Sequence, residues 1–157
     1  MAAPIISIVD SSGTTISSWD AGIVQSNNDS SILSINIWNN KGGSSTVPDL
    51  RECNITSLDP SGTANHDIIT QKWVRVNVPS LDGNTTTYTQ VGGSITKSLR
   101  ANGLSSPDGY TIKGTANTGV EAASSDNFCS VNMYVHVPTG ITAGTRDWKM
   151  RINGYYV

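Results

Sequence analysis

The sequence predicts an all-β fold, and three features of the 157-residue chain support this prediction. Apolar and polar residues alternate in several short runs, most clearly over residues 129–137. Most of these runs end at Gly, Pro, Asn or Asp, which favour turns. The number of runs predicts about eight or nine strands, as expected of an antiparallel β-sandwich.

The strands are predicted in order from this alternation. An apolar run closed by the turn at 10–13 forms the first strand, and a hairpin around Asp82-Gly83 joins the strand that Pro79 ends to the next one. Eight strands are predicted at 5–9, 14–19 with the short step 22–24, 33–38, 53–57, 74–78, 86–91, 129–137 and 148–156, and segment 110–114 would be a ninth.

Only residues 95–101 are predicted as helical. Ile95 and Leu99 are four residues apart, and Asn102-Gly103 would end a helix there. Residues 102–109 and 114–127 are polar and predict loops. Because no linker or repeat divides the chain, we expect a single domain over residues 1–157.

The composition indicates a surface covered by hydroxyls and amides. Charged residues make up 14% of the chain, against about 25% in an average protein, whereas Ser, Thr, Asn and Gly account for 67 of the 157 residues. This balance is typical of extracellular and virion β-proteins. The net charge of −2, with no basic stripe, argues against a nucleic-acid partner.

Neither a membrane nor a secretory signal is expected from the sequence. No apolar run approaches the length of a membrane span. The first residues, Met-Ala-Ala-Pro-Ile-Ile, lack the basic and apolar regions of a signal peptide. We therefore expect synthesis in a host cytoplasm without a signal peptide, and release by lysis if the protein acts outside the cell.

The sequence contains none of the common motifs of metal, nucleophilic or phosphate-binding sites. Two cysteines and two histidines are too scattered for a metal site, and the acidic residues lie mainly in turns. There is no G-x-S-x-G elbow and no phosphate-binding loop with its lysine. We expect no enzymatic activity, no cofactor and no metal.

The two cysteines, Cys53 and Cys129, share their alternation with apolar neighbours and should face inward. They could meet across the core as a bonded pair, as cysteines of antibody domains do. The alternative is two buried thiols that pack as small apolar side chains. The lack of a signal peptide favours the reduced form.

The candidate interface consists of apolar and aromatic residues that the alternation directs away from the core. Trp38 and Trp73 each point opposite to their apolar neighbours, although flanking loops could cover them. One of Tyr155 and Tyr156 should face outward. The full set is Ile5, Ile6, Ile8, Trp38, Trp73, Tyr155 and Tyr156.

The isoleucines of this set lie in an N-terminal segment, residues 2–9, that needs a partner to be ordered. That partner would be another strand of this chain or a strand of a neighbouring subunit. Alternatively, Ile5, Ile6 and Ile8 complete the core of the domain itself.

Two stretches resemble bacterial and phage immunoglobulin-like (Ig-like) domains. Trp19-Asp-Ala-Gly-Ile-Val24, followed by Ile35-Asn-Ile-Trp-Asn-Asn40 and Gly42, is similar to their opening, and 135–138 with Ala143-Gly144 and 148–156 is similar to their closing hairpin. The whole chain resembles phage head decoration (auxiliary capsid) proteins. Residues 79–127 match no part of this pattern.

The resemblance implies an Ig-like antiparallel β-sandwich and a structural role in a virion. The expected function is non-enzymatic: to decorate the outer surface of a phage head by binding the major capsid protein lattice or another virion lattice protein, with contacts to sister subunits. The alternative is a carbohydrate-binding module of a phage tail or a bacterial cell surface. In that case Trp38, Trp73 or Tyr110 would stack on sugar rings.

Overall fold

A computed structural model describes residues 2–157, and in that range the chain forms eight β-strands and two short α-helices. The strands are β1 (Ile6–Asp10), β2 (Leu33–Asn39), β3 (Arg51–Leu58), β4 (Val74–Asn77), β5 (Thr89–Val91), β6 (Lys97–Ser98), β7 (Phe128–Val135) and β8 (Lys149–Tyr155). The helices are α1 (Asp67–Thr70) and α2 (Pro79–Asp82). The prediction of a mainly β, antiparallel fold is confirmed.

The strands form two antiparallel sheets. The larger sheet has the order β1-β2-β7-β4-β5, and the smaller sheet has the order β6-β3-β8. The β2–β7 pairing runs from Leu33 opposite Met133 to Trp38 opposite Phe128. It continues past the start of β2, where Ser30 donates its backbone N–H to the Val135 carbonyl. These two strands are therefore the centre of the larger sheet.

One apolar core contains residues of both sheets. Ile37, Val76 and Val131 of the larger sheet belong to it, together with Cys53 and Ile55 of β3. All five are almost fully buried. Burial of a large aliphatic side chain of this kind stabilises a fold by roughly 1.5–3 kcal/mol.

Trp38 is buried, so its predicted exposure is wrong. As the alternation predicts, it points opposite to Ile37, but Val9 and Phe128 form a second apolar cluster with it there. The Trp38 and Phe128 rings stack with their centroids 4.6 Å apart, and the Lys41 ammonium lies 5.8 Å from the Trp38 ring.

The N-terminal segment finds its partner within the chain. β1 pairs with β2 over its whole length, from Ile6 opposite Asn39 to Asp10 opposite Ile35. Val9 is buried and Ile8 is partly buried against the main core, whereas Ile5 and Ile6 are exposed. The segment thus completes the larger sheet and leaves two isoleucines at the surface.

The predicted helix at 95–101 is wrong. Gly92 and Ile95 hydrogen-bond each other in a tight turn, and the chain then runs along β3 as β6. Leu99 is buried there, and its N–H donates to the Cys53 carbonyl. Tertiary pairing overrides the weak helical spacing in this segment.

Three other segments also differ from the prediction. Segment 110–114 forms a single bridge, between Ile112 and Leu50, and segment 14–19 forms a single bridge to β1. Segment 22–24 lies in neither sheet. Pro79 ends β4 as predicted but also starts α2, because its missing N–H is not needed at the first position of a helix.

Buried asparagine side chains anchor the long loops. The Asn40 amide donates to the carbonyls of Ser45, Gly114 and Thr115 at 2.8–3.2 Å. The Asn39 amide donates to those of Pro48 and Ile112 at 3.0 and 3.3 Å. The carbonyls of Ser45, Pro48 and Thr115, which accept no backbone N–H, are satisfied in this way, whereas those of Ile112 and Gly114 also accept from Leu50 and Val47.

Cys53 and Cys129 are both buried and unbonded, so the prediction that they face inward is confirmed. Burial raises the pKa of each thiol from 9.0 to about 12. Both thiols are therefore protonated in the folded chain at neutral pH.

We predict that Asn39→Ala lowers the free energy of unfolding by about 2 kcal/mol or more, because it removes the donor to two carbonyls in a buried site. Urea denaturation followed by circular dichroism measures the change. Asn28→Ala, at an exposed position, should stay within about 0.5 kcal/mol of the unmodified chain. Equal effects of the two substitutions would contradict the anchoring role of Asn39.

The folded chain should resist alkylation at about pH 8, whereas the chain unfolded in urea without reductant should add two alkyl groups, as mass spectrometry would show. The unfolded thiols titrate near 9.0 and the folded ones near 12. Their contribution to the free energy of unfolding is therefore full below 9.0 and is lost as the pH rises toward 12. An unfolded chain that adds no alkyl group would instead indicate a disulfide.

Candidate functional site

Four of the seven predicted interface residues are exposed and form what we call the terminal patch. Ile5 and Ile6 precede and begin β1, and Tyr155 and Tyr156 end and follow β8. Their exposed fractions are 57%, 40%, 51% and 44%, respectively. Both tyrosines are exposed, although the alternation required only one to be.

A chain of hydrogen bonds through Asn39 relates the positions of the two halves of the terminal patch. The Ile5 N–H donates to the Asn39 side chain at 3.1 Å, and the Asn39 amide reaches the Pro48 carbonyl. A few residues further along the chain, Arg51 pairs with Tyr155. The start of β1 and the end of β8 therefore lie at the same end of the molecule.

Of the two strands that lead to the terminal patch, β8 has an open outer edge, whereas the outer edge of β1 is open only at Ile6. The Ser57 carbonyl accepts from the Gly93 N–H, so the backbone groups of Ser57 face away from β8. Met150 lies opposite Ser57 in the antiparallel pair, and its backbone groups therefore face away from β3. By alternation, Met150 and Ile152 present N–H and C=O groups at the outer edge of β8. On the outer side of β1, the Ile8 carbonyl accepts from the Ile16 N–H and the Asp10 N–H donates to the Thr14 carbonyl. By alternation, the backbone groups of Ile6 face the same outer side, and they have no partner among the described residues.

The other predicted interface residues do not join this patch. Trp38 lies in the second apolar cluster, and Ile8 packs partly against the main core. Trp73 is almost fully buried and donates its indole N–H to the Gln71 side chain at 3.2 Å, so its predicted exposure is also wrong. Tyr110, the third proposed sugar platform, is exposed.

Sequence reasoning missed a groove of about 860 Å³ between residues 19–26 and 141–148. Two core valines of β7 and the segment after it, Val135 and Val137, line it together with Ile68 and Trp73. Ile23, on one side of the groove, is fully exposed. The sequence signal for the groove was a set of apolar and aromatic residues in these two segments. Because these residues do not alternate regularly, the segments were interpreted as strand or loop.

The two sides of the groove meet at both of its ends. At one end, Ser26 Oγ donates to the Pro138 carbonyl at 3.0 Å and accepts from the Gly140 N–H at 3.2 Å. At the other end, Trp19 and Trp148 pack edge to face with centroids 5.4 Å apart. Since Trp148 directly precedes β8 and Tyr155 ends it, the groove and the patch lie at opposite ends of that strand.

An ion pair stiffens one side of the groove. Arg146 Nε donates to both oxygens of Asp67 at 2.9 and 3.0 Å, and Arg146 Nη2 lies 2.9 Å from Asp67 Oδ2. These bonds hold the pKa of Asp67 below its usual 3.8 and raise that of Arg146. The guanidinium carbon also lies 5.8 Å from the centroid of the Trp73 ring.

Other titratable pairs are isolated. His136 Nδ1 lies 2.6 Å from Asp29 Oδ1, and His66 Nδ1 lies 3.6 Å from Asp59 Oδ1. Over residues 2–157, no three His, Cys, Asp or Glu side chains come together as a metal site would require. No helix in that range has the length and hydropathy needed to span a membrane.

Comparison with known proteins does not place the chain in a family. No protein-family model, no curated protein and no solved structure matches it significantly.

Arg146→Gln should raise the pKa of Asp67 toward 3.8, because the substitution removes the cation that stabilises the carboxylate. In the unmodified chain the stabilisation is full above 3.8 and is lost as the pH falls through the lowered pKa. Titration of the Asp67 carboxyl carbon by NMR measures the shift. Arg151→Gln, at an exposed residue that forms no ion pair within residues 2–157, should leave the Asp67 pKa unchanged. A shift of equal size in both variants would rule out a specific Arg146 effect.

Proposed function

We propose that the chain is a non-enzymatic structural protein of a virion that decorates the outer surface of a phage capsid by binding the major capsid protein lattice. The observation that carries this proposal is the terminal patch. Two isoleucines and two tyrosines are exposed at the same end of a β-rich domain, beside the open outer edge of β8 and the unpaired backbone of Ile6. Exposed apolar groups beside unpaired backbone suit docking on another protein.

We further infer that the two sheets are arranged as an Ig-like β-sandwich. The support is the shared core, in which side chains of β2, β4 and β7 belong to the same apolar cluster as those of β3. A sandwich of this kind is rigid before binding, so docking requires little ordering of the chain.

Charge at the edge of β8 limits which proteins can dock there. Lys149 and Arg151 are exposed on this strand, and charged residues on an edge strand disfavour pairing between identical strands. A lattice protein with carboxylates beside its own open strand would be favoured. The proposal therefore assigns the lattice contact to the terminal patch and the adjoining edge.

The carbohydrate-binding alternative has weaker support. Two of its three proposed stacking platforms, Trp38 and Trp73, are buried, and a buried ring cannot stack on a sugar. Only Tyr110 remains exposed among the three. A single exposed tyrosine is common on protein surfaces, so it does not favour a sugar ligand.

Purified protein should co-sediment with capsids of the source phage that lack it, and the double variant Ile5→Asp, Ile6→Asp should bind roughly tenfold or more weakly. Both isoleucines are exposed, so the variant should keep its cooperative thermal unfolding. Ile95→Asp, at an equally exposed isoleucine in the turn before β6, is the matched control and should bind normally.

Two outcomes would contradict the proposal. One is no co-sedimentation of the unmodified protein with capsids, above all if the protein binds cell-wall glycans on an array. The other is equal capsid binding by the double variant and the unmodified chain, which would remove the terminal patch from the contact.

A further inference from the structure

The two segments that border the groove share an unusual lack of backbone hydrogen bonds. Among residues 17–24 and 141–148, only the Gly22 N–H has a partner within the described chain, the Asp20 carboxylate at 2.8 Å. The only carbonyls that accept are those of Thr142 and Thr145, from the Arg146 side chain at 3.3–3.4 Å. Other long loops of this protein are bonded to each other or to asparagine amides.

These segments thus present rows of backbone donors and acceptors beside an apolar floor. Neither segment is helical or belongs to a sheet. Gly22 has a φ of +72° and turns the first segment, whereas residues 141–148 contain no residue with positive φ. Eight residues of strand would span roughly 26 Å. Unpaired backbone groups in an extended segment are matched in spacing by another extended polypeptide. A sugar or a lipid chain lacks that regular spacing of donors and acceptors.

The charges around the groove indicate which polypeptide would fit. Arg146 is neutralised by Asp67, its bidentate partner. Asp20 and Asp147 are exposed on opposite sides, and neither has a cation bonded to it within residues 2–157. The groove therefore combines an apolar floor with negative charge on both sides, and a segment with apolar residues and a Lys or Arg complements it.

We propose that this groove is a second docking site, which binds an extended, apolar and basic segment of the partner protein by strand addition to residues 141–148. The identity of that partner as the lattice protein rests on the proposed function. Bound in this way, the segment would cover the floor at Val135 and Val137, and the fully exposed Ile23 would pack against it. The protein would then contact its partner at both ends of β8.

Selection of the full-length protein against a display library of random linear peptides tests the site. We expect the enriched peptides to alternate apolar residues with Lys or Arg. Their affinity should fall roughly tenfold for Ala143→Trp, which fills the groove from an exposed position, and for Asp147→Lys. Asp126→Lys, at an exposed carboxylate outside the groove lining, is the charge control and should not change the affinity.

Methylation of single backbone nitrogens in the best peptide distinguishes strand addition from other binding. Strand addition predicts that binding is lost at every second position, since only alternate N–H groups face the groove segment. The proposal would be overturned if methylation reduced binding without this period of two, or did not reduce it at all. It would also be overturned if Ala143→Trp did not affect the enriched peptides, or if no peptide were enriched.

Co-sedimentation separates this inference from the proposed function. If Ala143→Trp binds capsids normally and the amides of 141–148 exchange hydrogen equally fast with and without capsid, the groove is not a lattice contact, although the proposed function stands. If peptides bind the groove as described but the unmodified protein does not bind capsids, the groove is still a peptide-binding site and the proposed function is wrong.

Discussion

The antiparallel pairing of β2 with β7 is the interaction on which the rest of the structure depends. It lies at the centre of the larger sheet, and its two ends support the two candidate docking surfaces. At the end of β2, Asn39 holds the backbone of Ile5 in the terminal patch. At the other end, the same ladder continues through Val135 and Val137 into the floor of the groove. A slip of this register by one residue would therefore disturb both surfaces.

Buried asparagine amides hold the loops that the β2–β7 pairing does not include. Residues 112–127 contain no regular strand, yet their carbonyls are bonded by Asn39, Asn40 and Asn127. An amide can donate two hydrogen bonds without carrying charge, so these side chains satisfy buried carbonyls without the cost of burying an ion. The low charge and high asparagine content of the sequence are consistent with a fold stabilised in this way.

The sequence pattern was sufficient to predict a strand where the alternation of apolar residues coincides with their burial. β7 alternates cleanly because one of its faces lies on the core, and its position was predicted closely. Trp38 shows where the reasoning fails: its direction was right, but a second cluster covers that face of the sheet. The groove could not be predicted, because its floor and sides come from segments that are far apart in sequence and follow no period. The terminal patch depends likewise on Asn39, whose long-range bonds leave no local signal.

The asparagine anchors have an evolutionary consequence, because the atoms that they bind belong to the main chain. Exposed loop side chains such as those of Ser44, Ser45 and Ala116 take no part in this anchoring, so they are free to change as long as the loop keeps its length and path. Divergence should therefore accumulate fastest in these loops. Distant members of the same lineage would share the spacing of Asn39, Asn40 and Asn127 long after the loops between them have ceased to align.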